Sequence, residues 1–217
     1  MKDLIEYFSS GIYAPGVTKE VELILGGDFL DFLNVPYQGE FEDTVTEAFS
    51  LWKLEAIIRG HPTVMDALRR FASLPGRKIT YLLGNHDADL FFPKVRERII
   101  REWDPNGKFP SDNVTMVADR DRITFAEGVE IRHGNQFESG NDLDFEQPFL
   151  QAPDGREILN LPWSSVYVLK IVNRLKWERE YLDKVRPVKV FMLFGMAFDT
   201  LFTIRYFFLS LVYFLHT

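Results

Sequence analysis

Three short segments of this 217-residue chain hold side chains able to bind a metal or move a proton. They are "GGDFLDF" (26–32), "GNHD" (84–87) and "RHGNQFE" (132–138). Asp28 follows two glycines, so its carboxylate can reach out of a tight loop. Asn85 offers a neutral amide oxygen and His133 an imidazole nitrogen. A carboxylate, an amide oxygen and an imidazole together suit Mn, Fe, Zn or similar divalent ions. A carboxylate can also bridge two ions about 3.5–4 Å apart, the spacing of dinuclear hydrolases. His86 stands beside Asn85; as an imidazole that is not a ligand, it could protonate a leaving alkoxide. Asp31 and Asp87 are better suited to orienting the loops around such a site.

Each segment begins where an apolar run stops. "VELILGG" (Val21–Gly27) and "KITYLL" (Lys78–Leu83) have the composition of buried strands, and each is followed by glycine. Helical spacing over Asp43–Arg59 puts Val45, Ala48, Phe49, Trp52 and Ile57 on one side. Pro62 suits the first turn of a second helix, which carries Val64, Leu68 and Phe71 and stops near Pro75–Gly76. A short helix at 2–9 and another over Phe92–Trp103 complete the first half. "RITFAEGVEIRHG" (Arg122–Gly134) alternates about Glu127-Gly128 and predicts a hairpin that delivers His133. Residues 136–160 are polar and irregular, and helix resumes at Trp163. Two buried strands separated by helices imply crossovers and a largely parallel sheet. Ligand sites of such sheets lie outside the carboxyl ends of the strands, which places all three segments at one rim.

Composition narrows the function. The chain is 46% hydrophobic and 26% charged, enough for a packed core. Its net charge of −7 disfavours nucleic acid as a partner. With no Cys, disulfides and thiolate metal sites are excluded. The first residues, "MKDLIEYFSSG", lack the basic-then-apolar pattern of a signal peptide, so a cytoplasmic location is expected.

Taken in order, the three segments resemble the calcineurin-like metallophosphoesterases. That family's ordered motifs are Asp-x-His, Gly-Asp-x-x-Asp, Gly-Asn-His-Asp/Glu, a later His often followed by Gly, and Gly-His-x-His. "GDFLDF" looks like the second, "GNHD" like the third and "RHGNQFE" like the fourth. The resemblance covers roughly 21–144. It implies an α/β/β/α sandwich and two divalent metal ions that hydrolyse a phosphoester through an activated hydroxide. Asp28, Asn85 and His133 become metal ligands and His86 the catalytic acid. The first and last motifs have no match: Asp3 is followed by Leu-Ile, Gly60-His61 by Pro-Thr, and His216 by Thr217. The expectation is therefore an incomplete sandwich over 1–160, a fragment that is weak or inactive alone. The rival is a non-catalytic, membrane-associated scaffold with a degenerate site.

The remainder, 161–217, is expected to be a hydrophobic helical region, either an insertion or membrane-associated helices. In "VKVFMLFGMAFDTLFTIRYFFLSLVYFLHT" (188–217), Gly195, Asp199, Thr203, Tyr206, Ser210 and Tyr213 form a narrow polar stripe on an otherwise apolar helix. Three readings stay open: a helix buried against other protein, an in-plane membrane helix, or a span. Arg174, Lys176, Arg179, Lys184, Arg186 and Lys189 lead up to and into it, mixed with Glu178, Glu180 and Asp183. They suit either a solvated helix face or anionic headgroups on the inner face of a membrane. A His-Gly-Asn segment followed by a helical insertion is similar to the UDP-2,3-diacylglucosamine hydrolases. That subfamily usually has Arg where this chain has His86. The substrate expected is thus a phosphorylated small molecule or a lipid-linked pyrophosphate.

Overall fold

The computed structural model describes residues 2–37, 39–125, 128–180 and 188–216. After a short helix α1 (Lys2–Tyr7), strand β1 (Val21–Leu25) leads through a loop to helices α2 (Glu47–Gly60) and α3 (Pro62–Ser73). Strand β2 (Arg77–Leu82), helix α4 (Pro93–Trp103) and strand β3 (Val114–Val117) follow. The three strands form one parallel sheet in the order β1-β2-β3, with Leu25 opposite Tyr81 and Leu82 opposite Val117. The expected parallel sheet is therefore present, with a third strand that the sequence reading did not include. "VTMV" is four residues long and lacks strong flanking punctuation, so nothing local marks it as a strand.

Helix boundaries follow local chemistry. Thr46 caps α2 by accepting the Phe49 N–H at 3.3 Å, which starts that helix four residues later than expected. Pro62 opens α3, and Pro93 opens α4, where a missing N–H costs nothing. His61 joins α2 to α3 and has no part in the rim. Helices α3 and α4 pack on one face of the sheet. Leu68, Phe71, Val95, Ile99 and Trp103 meet Ile79 and Tyr81 there in one contiguous core.

One expected face is only partly right. Val45 and Ile57 are buried as expected, but helix α2 also turns Ser50, Lys53 and Leu54 inward, while Ala48 and Trp52 are exposed. Phe49 and Trp52 instead pack with Tyr37, whose ring centroid lies 5.2 and 4.7 Å from theirs. The reason is electrostatic. Lys53 and Asp89 are 2% and 1% exposed, and Nζ lies 2.5 Å from Oδ1. Neither Asp89 oxygen receives a well-aligned hydrogen bond among the described residues, so charge holds the pair. The Lys53 ammonium also stands 5.0 and 5.5 Å from the ring centres of Phe49 and Phe32. This pair ties α2 to the segment that follows "GNHD".

Beyond β3 the chain makes two small ribbons. Strands β4 (Arg122–Thr124) and β5 (Glu130–Arg132) are antiparallel, as expected, though Glu127 in the turn lies outside the described residues. Strands β6 (Phe149–Gln151) and β7 (Glu157–Leu159) form a second ribbon inside the stretch expected to be irregular. Its turn is "APDGR" (152–156), a Pro-Asp-Gly signal that the sequence reading passed over. The described architecture is thus mixed α/β with a small parallel sheet.

Helix resumes as α5 (Trp163–Tyr167), continues through a π-helical turn (Val168–Val172) and ends as α6 (Asn173–Glu178). This arm is bolted to the loops of the rim. Asn173 Nδ2 donates to the Leu33 carbonyl at 2.8 Å, and Lys170 meets Asp43 at 2.8 Å. The apolar tail is two helices, α7 (Val188–Phe198) and α8 (Thr200–His216), rather than one. The chain bends at Asp199, where α7 runs so close to α8 that a Cβ on Gly195 would overlap Thr203 Oγ1. Asp183, Lys184 and Arg186 of the basic stretch lie outside the described residues. Among those described, no helix is long and apolar enough to cross a membrane.

Removing one partner of the Lys53–Asp89 pair leaves a buried charge alone. Lys53→Met or Asp89→Leu should each cost about 3–5 kcal/mol of unfolding free energy, and the double substitution should restore most of it. Urea denaturation of the four proteins measures this, and additive losses would refute it.

Candidate metal centre

The loop after β1 alternates buried apolar anchors with aspartates left at the surface. Leu30, Phe32 and Leu33 are buried, and the Phe29 ring packs 6.0 Å from both Tyr81 and Trp103. Apolar side chains pull the loop into the core, and the two aspartates between them are left at the surface of the rim. Both aspartates adopt left-handed backbone, with φ of 53° at Asp28 and 50° at Asp31. That conformation is uncommon outside glycine and typically costs about 1–3 kcal/mol, so the surroundings must enforce it.

Asp87 does the enforcing. It is wholly buried, and its carboxylate accepts the Phe29 N–H at 3.0 Å and the Asp31 N–H at 2.8 Å. The Tyr81 hydroxyl donates to it at 2.5 Å and itself accepts the Leu30 N–H at 3.1 Å. Three successive N–H groups of the first segment therefore end on one carboxylate and one phenol supplied by the second strand and its loop. Burial, with repulsion from Asp28 and Asp31, lifts the Asp87 carboxyl to about 7. Burial and the Asp87 charge push the Tyr81 hydroxyl well above its ordinary value.

Glycines let the segments touch. A Cβ on Gly84 would overlap Asp28, and one on Gly27 would overlap the His133 ring. With both absent, Asp28 Oδ1 accepts the His86 N–H at 2.9 Å, and Asp28 Oδ2 lies 3.1 Å from His133 Nε2. His133 Nδ1 is 2.8 Å from the Gly26 carbonyl, an acceptor only, so Nδ1 carries a proton and Nε2 is the atom turned to Asp28. Burial raises the Asp28 carboxyl, but the His133 contact, the His86 N–H and both imidazoles outweigh it and hold it below the ordinary range. The Asp28 contact raises His133, with burial opposing.

His86 is held from its other side. Burial opposes its protonation, but Asp31 Oδ1, 2.8 Å from Nδ1, and the nearby carboxylates raise it above the ordinary value. The second Asp31 oxygen accepts from Asn34 Nδ2, and Asn34 Oδ1 accepts from Lys176 Nζ at 2.8 Å. A polar chain thus runs from His86 through Asp31 and Asn34 to α6.

The structure brings Asp28, Asp31, His86, Asp87 and His133 into one connected cluster. Asn85 sits between the two residues that touch Asp28. As a residue it is 7% exposed, and no group of the described residues hydrogen-bonds its side-chain amide, whose atoms keep contact with solvent. An amide so placed can take a ligand. The donor set fits a divalent ion: an anchored imidazole with its second nitrogen facing a carboxylate, beside an unpartnered amide. Among the described residues no three His, Asp or Glu side chains gather as a cage, so Asp28, Asn85 and His133 could supply only part of a ligand set. Asp3 lies exposed on α1, outside the cluster. Tyr81 and Asn34 carry no motif in the sequence that marks them as site residues, and Lys176 stands out there only as part of the basic stretch. Tyr81 had one signal, a polar-tipped aromatic in a buried strand six residues before Asp87.

Because Asp87 and Tyr81 serve the same three N–H groups, their losses should couple. Asp87→Ala should lower stability by about 3 kcal/mol or more and Tyr81→Phe by about 1–2 kcal/mol, as buried donors lose partners. The double variant should lose less than the sum; strict additivity in urea denaturation would refute the shared clamp. No protein-family model, curated protein or solved structure matches the chain.

Proposed function

We propose that this chain is a metal-dependent phosphoester hydrolase of the metallophosphoesterase kind, built on that family's sandwich. The observation that carries the reading is the meeting of Asp28, His133 and "GNHD" at one rim, with His133 Nε2 3.1 Å from Asp28 and the Asn85 amide unpartnered. Asp28, Asn85 and His133 would hold divalent ions such as Mn, Fe or Zn. Bound there, such ions would polarise a phosphoryl oxygen and lower the pKa of a water.

The chain's own residues supply the rest. Gly26 fixes the His133 tautomer through Nδ1, so its Nε2 is available as a ligand. Asp31 accepts from His86 Nδ1 and, with the nearby carboxylates, favours the doubly protonated imidazolium, whose Nε2 proton would pass to the leaving alkoxide. Asp87 keeps Asp28 and Asp31 in place without touching substrate. Phosphomonoesters, phosphodiesters and pyrophosphates on small molecules or lipids suit the site, and the −7 net charge disfavours nucleic acid. With a partial ligand set, weak turnover by these 217 residues is part of the proposal.

Mn binding by calorimetry, run beside hydrolysis of bis(p-nitrophenyl) phosphate, tests it. Asp28→Asn and His133→Ala should weaken Mn binding by at least about tenfold. His86→Ala should keep Mn binding and lower any turnover by about 100-fold or more. Mn affinity unchanged by both ligand substitutions, or absent in the unmodified chain, would sink the metal-centre reading and leave a non-catalytic scaffold.

A further inference from the structure

Helix α8 is amphipathic in the reverse of the usual sense. Its polar stripe faces the protein. Tyr206 donates to Glu178 Oε1 at 2.6 Å, Ser210 pairs with the Tyr167 hydroxyl at 3.0 Å, and Tyr213 packs 5.8 Å from the Tyr167 ring. Thr203 and Phe202 are buried on the same side. What faces away is Leu201, Phe207, Phe208, Leu209 and Leu215, all more than 40% exposed and Leu201 85%, while Phe214 packs 4.9 Å from Trp163. At about 100° per residue these five span an arc of about 200°, which Arg205 interrupts. A helix laid on one protein surface needs an apolar stripe little wider than about 100°. An arc twice that width suits a surrounding apolar medium better than a single protein face.

Charge names the medium. Residues 163–217 hold eight Lys and Arg against four Asp and Glu, a net of +4, while 1–162 hold 17 against 28, a net of −11. Such polarity turns the helical arm toward an anionic surface and the body away from it. Rings suited to the headgroup level stand at the base of the arm. Trp163 stacks on Tyr167 with centroids 5.4 Å apart, and Trp177 is exposed. Arg205, paired with Glu178 at 3.2 Å, is placed to reach the same level. The 17 residues of α8 measure about 25 Å, short of a hydrocarbon core of about 30 Å.

We propose that α7 and α8 dock this protein on an anionic lipid bilayer, with α8 lying in the interface plane and its outward arc among the acyl chains. The bend at Asp199 keeps both helices on the same side of the surface. Binding needs neither metal nor catalysis, so it stands or falls apart from the hydrolase reading.

Flotation of the 217-residue chain in EDTA, with vesicles of phosphatidylcholine alone or mixed with phosphatidylglycerol, tests this. The chain should float with the mixed vesicles and bind neutral ones at least about tenfold more weakly. A Leu201→Glu/Phe208→Glu/Leu215→Glu variant changes only outward side chains. It should keep the helical circular dichroism and stay at the bottom of the gradient. Equal binding to both vesicles would overturn the anionic assignment. A parent chain that ignores both, or a variant that floats as well as the parent, would overturn the lipid assignment. Light scattering that then found a dimer broken by the three substitutions would give the face to a second copy.

Discussion

A single buried carboxylate organises the rim. Asp87 collects two backbone N–H groups and a phenol, and through them it holds Asp28 and Asp31 in a backbone conformation neither would choose alone. The clamp is also what joins the first strand's loop to the second strand's loop, since Phe29 and Leu30 are gripped by residues of β2 and its continuation. Everything the rim can do chemically depends on this crossing of chains. Side chains held this way need little reorganisation when a charged group arrives, which is the physical meaning of preorganisation.

The outer framework serves the same end. The Lys53–Asp89 pair fixes the segment just beyond "GNHD" against α2. The Ser165 hydroxyl lies 3.4 Å from the Asn85 carbonyl, and Asn173 binds Leu33, so α5 and α6 brace the two rim loops from above. On the sheet side, Arg77 is completely buried and directs its guanidinium to backbone carbonyls of Tyr13, Thr18, Lys19, Pro75 and Gly76. That contact sews the chain before β1 to the start of β2 and so sets the level at which both strands end.

Much of this was legible in the residues. Apolar runs stopped by glycine marked β1 and β2, and their parallel pairing put Asp28 and "GNHD" at one end of the sheet. The alternation about Gly128 marked the ribbon that carries His133. What was hidden depended on partners far along the chain. Lys53 looks like a surface residue until Asp89 is placed opposite it. Four-residue β3 has no periodicity of its own and exists because β2 offers an edge. The stripe on α8 was visible, but its direction was not, because an apolar arc normally turns inward and here Glu178 and Tyr167 draw the polar side toward the body.

The order of the sheet is also the order of the chain, and this bears on how the centre assembles. Each strand adds to the edge left by the one before, so the sheet can grow in a single direction as the chain emerges. Asp28, "GNHD" and the clamp between them are complete once β2 and α4 have packed. His133 arrives later, on a separate ribbon, and its ring reaches the earlier structure through the Gly26 carbonyl and Asp28. It is the last member to join. The early half of the rim is therefore the seat, and His133 closes it from a separate ribbon.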